Sequence, residues 1–349
     1  MPARSITIFD IAEEAGVSIA TVSRALGEQY NPRSAKHRRV REVAGRYNYL
    51  PSAAARSLGS GETRLLCIVL PEMTNPYYTD LFNRAELEAS EHGYSLMMQR
   101  LRREPDSYER LMDQLITRRP DGLILAGGFS ENPQTPGKVR TLTQLSQYMP
   151  TVIVGHTVEG FAGVCIDCNL AECARKLVQH LVTLGHRRIA MIGASPVREN
   201  PREREYGYAE AMRGNGLSPW FEERRTPGYA VEDGAVGVLR VLAGLAREAW
   251  PTALIAANDL TALGALRQLD KMGVRVPEEI AVVGCDNQFF TPYTHPPLTT
   301  MDLNLEEQAK LAVQYLLAPQ AGMSFLHEVD GSLIVRESCG MGLGVRELG

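Results

Sequence analysis

Eight short apolar runs punctuate the chain from Leu65 onward: LLCIVLP, YSLMM, DGLILAG, TVIVGH, RRIAMIG, TALIAAN, EIAVVGCD and SLIVRES. They are continuous in Val, Ile and Leu rather than alternating with polar residues, which marks strands buried on both faces. Amphipathic stretches separate them, such as the helical stripe Tyr108, Leu111, Met112, Leu115 and Ile116. Strands of that kind alternating with helices specify parallel sheets covered by helices on both sides. Close to 280 residues is too much chain for one such sheet, so two sheets with a cleft between them are expected.

In open α/β sheets, ligands bind beyond the carboxyl ends of the strands. Four runs lead there into polar residues: Asn75, Pro76, Tyr77 and Tyr78; Arg202 and Arg204; Asn258 and Asp259; and Asp286. Arginine, asparagine and aspartate together supply the donors and acceptors that vicinal hydroxyls need, and tyrosine faces suit the C–H side of a sugar ring. A polyol or sugar is therefore the expected ligand. Asp259 reads as the cap of the helix LTALGALRQL, and Phe82 reads most simply as core while remaining a candidate.

Composition narrows the function classes. At 349 residues, 44% hydrophobic and 22% charged, the chain is long enough for two or three packed domains. Its net charge of −4 hides an asymmetry, because residues 1–60 carry nine Lys/Arg against five Asp/Glu. A basic head on an acidic body points to a polyanion met by the head alone. No apolar run approaches the roughly 18 residues of a membrane span, and MPARSITIFD lacks a secretory core, so a cytoplasmic protein is expected. The cluster Cys165, Cys168, Cys173 has no second ligand knuckle, so buried thiols are expected and no metal or cofactor. There is no GxxxxGK[ST], HExxH or GxSxG, which speaks against an enzyme.

The basic head opens with FDIAEEAGVSIATVSRALG. Ile8, Ile11, Ala12 and Ala15 share one face of a short helix, started by a Thr7/Asp10 capping box. Gly16 turns the chain, Val17 plugs the corner, and Ser18 caps a second helix buried through Val22, Ala25 and Leu26 and stopped by Gly27. Ile19, Ala20, Ser23 and Arg24 stay outside, as in a helix-turn-helix whose second helix meets base edges. A third helix is expected to be capped by Asn31, with Pro32 first and a buried stripe of Val40, Val43, Ala44 and Tyr47. The segment YLPSAAARSLG is too short for a stable free helix. Leu58 within it has the chemistry of a minor-groove wedge on a helix formed only in a complex, or of an incidental leucine in a linker.

These stretches, with LGHRRIAMIG, AANDLTALGALRQL, VPEEIAVVGCD and PPLTTM, resemble the lactose/galactose repressor family of bacterial transcription regulators, in order, from about residue 5 to residue 339. The resemblance implies an all-α helix-turn-helix head, residues 1–50. A hinge helix and linker follow at 51–62, and then an α/β body at 63–349 with two doubly wound, periplasmic-binding-protein-type lobes around a ligand cleft. It places the lobe crossings near 163, 295 and 325, so that one lobe holds 63–163 and 296–325 and the other 164–295 and 326–340. It further implies a homodimer on a palindromic operator, controlled by a small molecule: a sugar or sugar-acid inducer, or alternatively a nucleobase, phosphorylated metabolite or protein acting as co-repressor. The implied DNA set is Thr7 and Ser18 on phosphates, and Ile19, Ala20 and Arg24 at base edges with Thr21, Ser23 and Asn31 beside them. Ala55 and Leu58 join it from the hinge. The implied effector set is Pro76, Tyr78, Phe82, Arg204, Tyr229, Asn258 and Asp286. Three departures stand out: apolar Ile19 and Ala20 cannot make bidentate base contacts, Asn48 replaces a common glycine, and Gly155-His156 replaces a common Asp-Arg pair.

Overall fold

A computed structural model describes residues 6–27, 29–49, 62–101, 107–127, 138–155, 158, 161, 163–193, 199–221, 228–319 and 325–341, with 107–109, 138–139 and 199–202 described as backbone only. The chain divides into two compact units, an N-terminal one up to Leu65 with Arg119–Asp121, and the remainder.

The first unit contains α1 (Ile8–Ala15), α2 (Ile19–Leu26) and α3 (Ala35–Arg46). The capping box forms as expected: the Thr7 amide and hydroxyl donate to the Asp10 carboxylate at 2.8 and 2.7 Å. Gly16 takes the left-handed conformation, φ 66°, that the turn into α2 requires. Ile11, Ala12, Val22, Ala25, Val40 and Val43 make the core. Two local expectations fail. Ser34, not Asn31, caps α3 by accepting from the His37 amide, while the Asn31 side-chain oxygen Oδ1 accepts from the Arg33 amide at 2.9 Å and closes a turn of its own. Tyr47 is 46% exposed, because the helix ends at Arg46 and Tyr49, beyond the turn at Asn48 (φ 48°), packs against the core instead.

The second unit holds two six-stranded sheets. The first contains β1 (Leu65–Leu70), β2 (Ser95–Arg100), β3 (Gly122–Ala126), β4 (Thr151–Val154), β5 (Val164–Cys168) and β11 (Phe325–Val329), in the order β11-β5-β4-β3-β1-β2. The second contains β6 (Ile189–Ile192), β7 (Trp220–Phe221), β8 (Ala253–Ala256), β9 (Ala281–Cys285), β10 (Thr299–Asp302) and β12 (Ser332–Ile334), in the order β12-β10-β9-β8-β6-β7, with β12 antiparallel. Helices cover both faces of each. Leu81 and Ala85 of α4 (Pro76–Glu91) and Ala309 and Val313 of α11 (Leu305–Leu317) pack on one face of the first sheet. Leu111 and Leu115 of α5 (Ser107–Arg118) and Leu142 and Leu145 of α6 (Lys138–Tyr148) pack on the other, whereas Ile116 of the expected stripe is exposed. The second sheet lies between α7 (Leu170–Thr183) with α8 (Glu199–Gly214), and α9 (Val231–Leu242) with α10 (Asp259–Lys271). Gly264 of α10 faces α9 so closely that a Cβ there would collide with the Val231 carbonyl. No helix among the described residues is long and apolar enough to cross a membrane.

Among the described residues the chain passes between the lobes three times, each time later than the sequence resemblance places it. β5 pairs with β4 and β11 in the first sheet, so the first passage lies at Asn169 rather than before Val164. β10 pairs with β9 in the second sheet, which moves the second passage from 295 to Asn304. β11 belongs to the first sheet and β12 to the second, so the third passage is Asp330–Gly331 instead of 325. β5, β10 and β11, the strands that precede the three passages, are not among the apolar runs that announce strands in the sequence. At the first two passages the linking residue is an asparagine that caps the next helix, Asn169 accepting from the Glu172 amide and Asn304 (φ 53°) from the Glu307 amide.

Candidate functional site

Two surfaces gather the candidate residues, one in each unit. On the head, Ile19 (41% exposed), Ala20 and Arg24 lie on the outer side of α2, with Thr21 and Ser23 half-buried beside them. Arg24 runs along the helix, its Nε donating to the Ala20 carbonyl at 3.2 Å. Ser18, exposed at the start of α2, accepts from the Thr21 amide, and its hydroxyl meets the Thr21 hydroxyl at 3.0 Å. Thr7 and Asn31 are exposed, as are Arg33, Lys36, Arg38 and Arg39. Most apolar side chains of the helices are consumed by the core, so the outer side presents short polar groups and cations around the apolar Ile19 and Ala20, a chemistry suited to a polyanion. Ala55 and Leu58 lie outside the described residues.

In the body, a cleft opens between the two sheets at the carboxyl ends of their strands, leaving about 630 Å³ free of atoms including its open mouth. The first lobe contributes Asn75, Tyr77, Tyr78, Gly155 and Asp167, the second Arg204, Tyr229, Asn258 and Asp286, and α11 adds Gln308. Tyr78 packs over Gly127, where no Cβ would fit beneath its hydroxyl. Tyr77 meets Tyr78 edge to face at 5.1 Å between ring centroids. Burial, reinforced by the nearby Asp286 charge, raises the Tyr77 phenol well above its ordinary range and keeps it a donor.

The charged centre is Arg204 opposite Asp286, NH2 to Oδ1 at 3.5 Å, with side chains only 11% and 5% exposed. Burial pushes the Asp286 carboxyl up to about 7, against the opposing pull of Arg204. Burial also works against the Arg204 charge, but Cys285, Asp286 and Tyr229 around it outweigh that and hold the guanidinium protonated. Its Nε is buried without a hydrogen-bond partner among the described residues, and its plane lies 5.9 Å from the Tyr229 ring. A long single-contact ion pair with a spare buried donor is a site short of one polar group, because a buried N–H left unmade costs about 1–3 kcal/mol.

Asn258 is more committed. Its Oδ1 accepts from the Thr261 amide and hydroxyl at 2.9 Å each, and its Nδ2 donates to the Tyr229 carbonyl, leaving one amide hydrogen for the cleft. Asn258 therefore caps α10, the role the sequence assigns to Asp259. Asp259 is fully buried and reaches across to the Gln288 amide and the Thr300 hydroxyl. Two expected residues do not line the cleft: Pro76 is the first residue of α4, and Phe82 packs against the first lobe's core. The side chains of Arg202 and His156 lie outside the described residues. Sequence reasoning misses Asp167 and Gln308. Asp167 sits in β5, whose sequence shows only cysteine spacing, whereas Gln308 is visible as one glutamine in the otherwise apolar stripe of α11. All six cysteines are buried and unbridged. Among the described residues no cluster of three His, Cys, Asp or Glu could hold a metal.

Residues 7–52 match the family described as bacterial regulatory proteins, lacI family, and residues 178–339 match the periplasmic binding protein-like domain. The chain is 30% identical over 317 residues to the ribose operon repressor of Escherichia coli (strain K12), covering 89% of this chain and 92% of that one. It is 30% identical over 315 residues to the HTH-type transcriptional repressor PurR of Aliivibrio fischeri (strain MJ11), covering 89% and 90%. Its fold is similar to that of the lac repressor dimer bound to operator and the anti-inducer ONPF, with a TM-score of 0.84, 24% identity, and coverage of 96% and 99%.

Proposed function

The chain belongs to the lacI family of bacterial regulatory proteins, DNA-binding transcriptional repressors rather than enzymes, and from that premise we propose that it is a homodimer released from a palindromic operator by a sugar or sugar acid. The observation that carries the effector class is the buried Arg204–Asp286 pair, its Nε without a partner among the described residues, lining one cleft with its acceptor oxygens. Vicinal hydroxyls can bridge such a pair, donating to the carboxylate and accepting from the guanidinium. Tyr78 and Tyr229 offer rings to a sugar's C–H face, and Asn258 one donor. Asp167 adds a second carboxylate against one guanidinium. That balance favours an uncharged sugar over a sugar acid and disfavours a phosphorylated ligand. A second reading, a nucleobase acting as co-repressor, has the tyrosines in its favour, since they can also stack a base.

On the operator, α2 enters the major groove with Ile19, Ala20 and Arg24 at base edges, Thr21, Ser23 and Asn31 beside them, while Thr7 and Ser18 meet phosphates. Leu58, with Ala55, wedges a central step in the minor groove. Effector closing the cleft moves the first lobes of the two subunits against each other, and the shift in operator affinity equals the ligand's differential affinity for the two states. A thermal-shift screen of sugars, sugar acids, sugar phosphates and nucleobases tests this, because a ligand at about 100 times its Kd adds roughly 2.7 kcal/mol. Sugar hits that disappear in Asp286→Ala support the reading; hits confined to phosphates or nucleobases overturn it.

A further inference from the structure

Asp286 and Asn287 follow β9 at φ 115° and 50°, two successive non-glycine residues in the left-handed half of backbone space. Such conformations cost about 1–3 kcal/mol each and persist only where surroundings impose them. Here the loop is pinned to the neighbouring strand. The Asp286 amide donates to the Met301 carbonyl at 2.9 Å, and the Asn287 amide donates to the Thr300 hydroxyl at 3.3 Å. The Gln288 amide donates to Asp259 at 2.8 Å, and the Thr300 hydroxyl donates to the other oxygen of that carboxylate.

The Asn287 side chain points away from this clamp and does not line the cleft. Its Oδ1 accepts from Arg336 NH2 at 3.0 Å, and its Nδ2 donates to Asp302 Oδ2 at 2.9 Å. Asp302 is the last residue of β10, and its other oxygen accepts from the amide of Asn304, the second passage, at 2.6 Å. Asn304 in turn receives the Glu307 and Gln308 amides at the start of α11, a helix packed in the first lobe. Arg336 is fixed in turn: the other terminal nitrogen of the same guanidinium donates to the Leu298 carbonyl, and its backbone amide donates to the Thr299 hydroxyl. A continuous hydrogen-bonded chain therefore runs from the residue beside the cleft carboxylate, across Asp302, to the point where the chain enters the other lobe.

We infer that Asn287 is a coupling residue: its amide transmits displacement of the Asp286 loop to the second inter-lobe passage, without itself holding effector. The inference rests on reading Asp286 as the effector-holding carboxylate. Physical coupling requires an element whose arrangement both ends bias, and the two-armed Asp302 carboxylate, shared between loop and passage, is that element.

The test uses full-length protein and no effector, so a failed ligand screen leaves it readable, and its own failure leaves the effector site standing. Asp286→Asn serves as the perturbation at the cleft, and hydrogen exchange of the Glu307 and Gln308 amides, in the other lobe, is the readout. Asp286→Asn is expected to change that exchange about fivefold or more in the otherwise wild-type chain, the lower end of ordinary coupling strengths. In Asn287→Asp, where two carboxylates face each other, or in Asn287→Ala if that variant folds poorly, Asp286→Asn should change exchange there no more than it changes exchange at other first-lobe amides, which follow the overall stability. The double change Asn287→Asp with Asp302→Asn reverses the bond at unchanged net charge. The new side-chain amide at position 302 would donate to the new carboxylate at position 287 while its oxygen still accepts from the Asn304 amide, and the response should return. A merely structural Asn287 would alter exchange but not its dependence on residue 286. An equal response with and without the Asn287 link, no response in the wild-type background, or failure of the reversed pair to restore it would overturn the inference.

Discussion

Replacing Asp286 with Asn should stabilise the protein, and increasingly so as pH rises. The wild-type carboxyl sits at about 7 in the folded chain against an ordinary value of 3.8, because burial outweighs the attraction of Arg204. A folded-state value raised above the unfolded one means stability fully present below about pH 4 and lost as pH climbs through 7. A rise from 3.8 to about 7 corresponds to about 4 kcal/mol at most, with the larger part between pH 5 and pH 7. Asparagine keeps the shape and never ionises, so the variant escapes that loss. Asp259 reinforces the direction: burial and the charge of Asp286 raise it too, so removing that charge relaxes it in the same sense. Urea unfolding of both proteins at pH 5, 6, 7 and 8 measures the difference directly. Stability curves that run parallel across this range would refute the assignment of a burial-strained carboxyl at the centre of the cleft.

Gly264→Ala should cost about 2–3 kcal/mol in denaturant unfolding, since its Cβ meets the Val231 carbonyl, an overpacked contact. Gly214→Ala, at the end of α8 with nothing within 4 Å, should be neutral or slightly stabilising. Native protein should react with almost no thiol reagent, and all six cysteines should titrate once it is unfolded, because every one is buried. Burial raises the Cys67 thiol to about 12 and the Cys165 thiol to about 11, which keeps both unreactive at neutral pH. Leu58→Ala should weaken binding to a selected palindromic operator while sparing random duplex; equal loss on both would remove the wedge.

Much of this architecture is legible because local and tertiary demands coincide. The Thr7/Asp10 box and the Gly16 turn are both local chemistry, and the structure keeps both. The long apolar runs of β1, β3 and β9 declare themselves by being buried on every side. What escapes are strands whose sequences carry a second pattern. VCIDC in β5 reads as thiol spacing, TTMD in β10 is half polar because Thr299 and Thr300 are hydrogen-bonded in the core, and FLHEV in β11 alternates as an edge strand does. Missing them leaves the strands that precede every inter-lobe passage unannounced and hides Asp167. At the cleft, Asp286 is recognisable as a strand-end polar residue and Arg204 as a cation downstream of the β6 run, although it stands within α8. The division of labour between Asn258 and Asp259 is not, since it depends on which of two adjacent side chains turns inward. Asn31 loses the cap to Ser34 for a similar reason: both can cap, and the turn on Arg33 decides between them.

The cleft's construction from two half-sets of groups makes recognition divisible. One lobe supplies an aromatic wall with Asn75 and Asp167, the other the guanidinium, the carboxylate and the capping amide, and only one or two residues join the lobes at each passage. Each lobe is thus a cassette with its own core and its own share of the chemical vocabulary. Effector preference in such a chain can change by exchanging one cassette, or by substitution within it, while the operator-reading head and the opposite wall stay as they are.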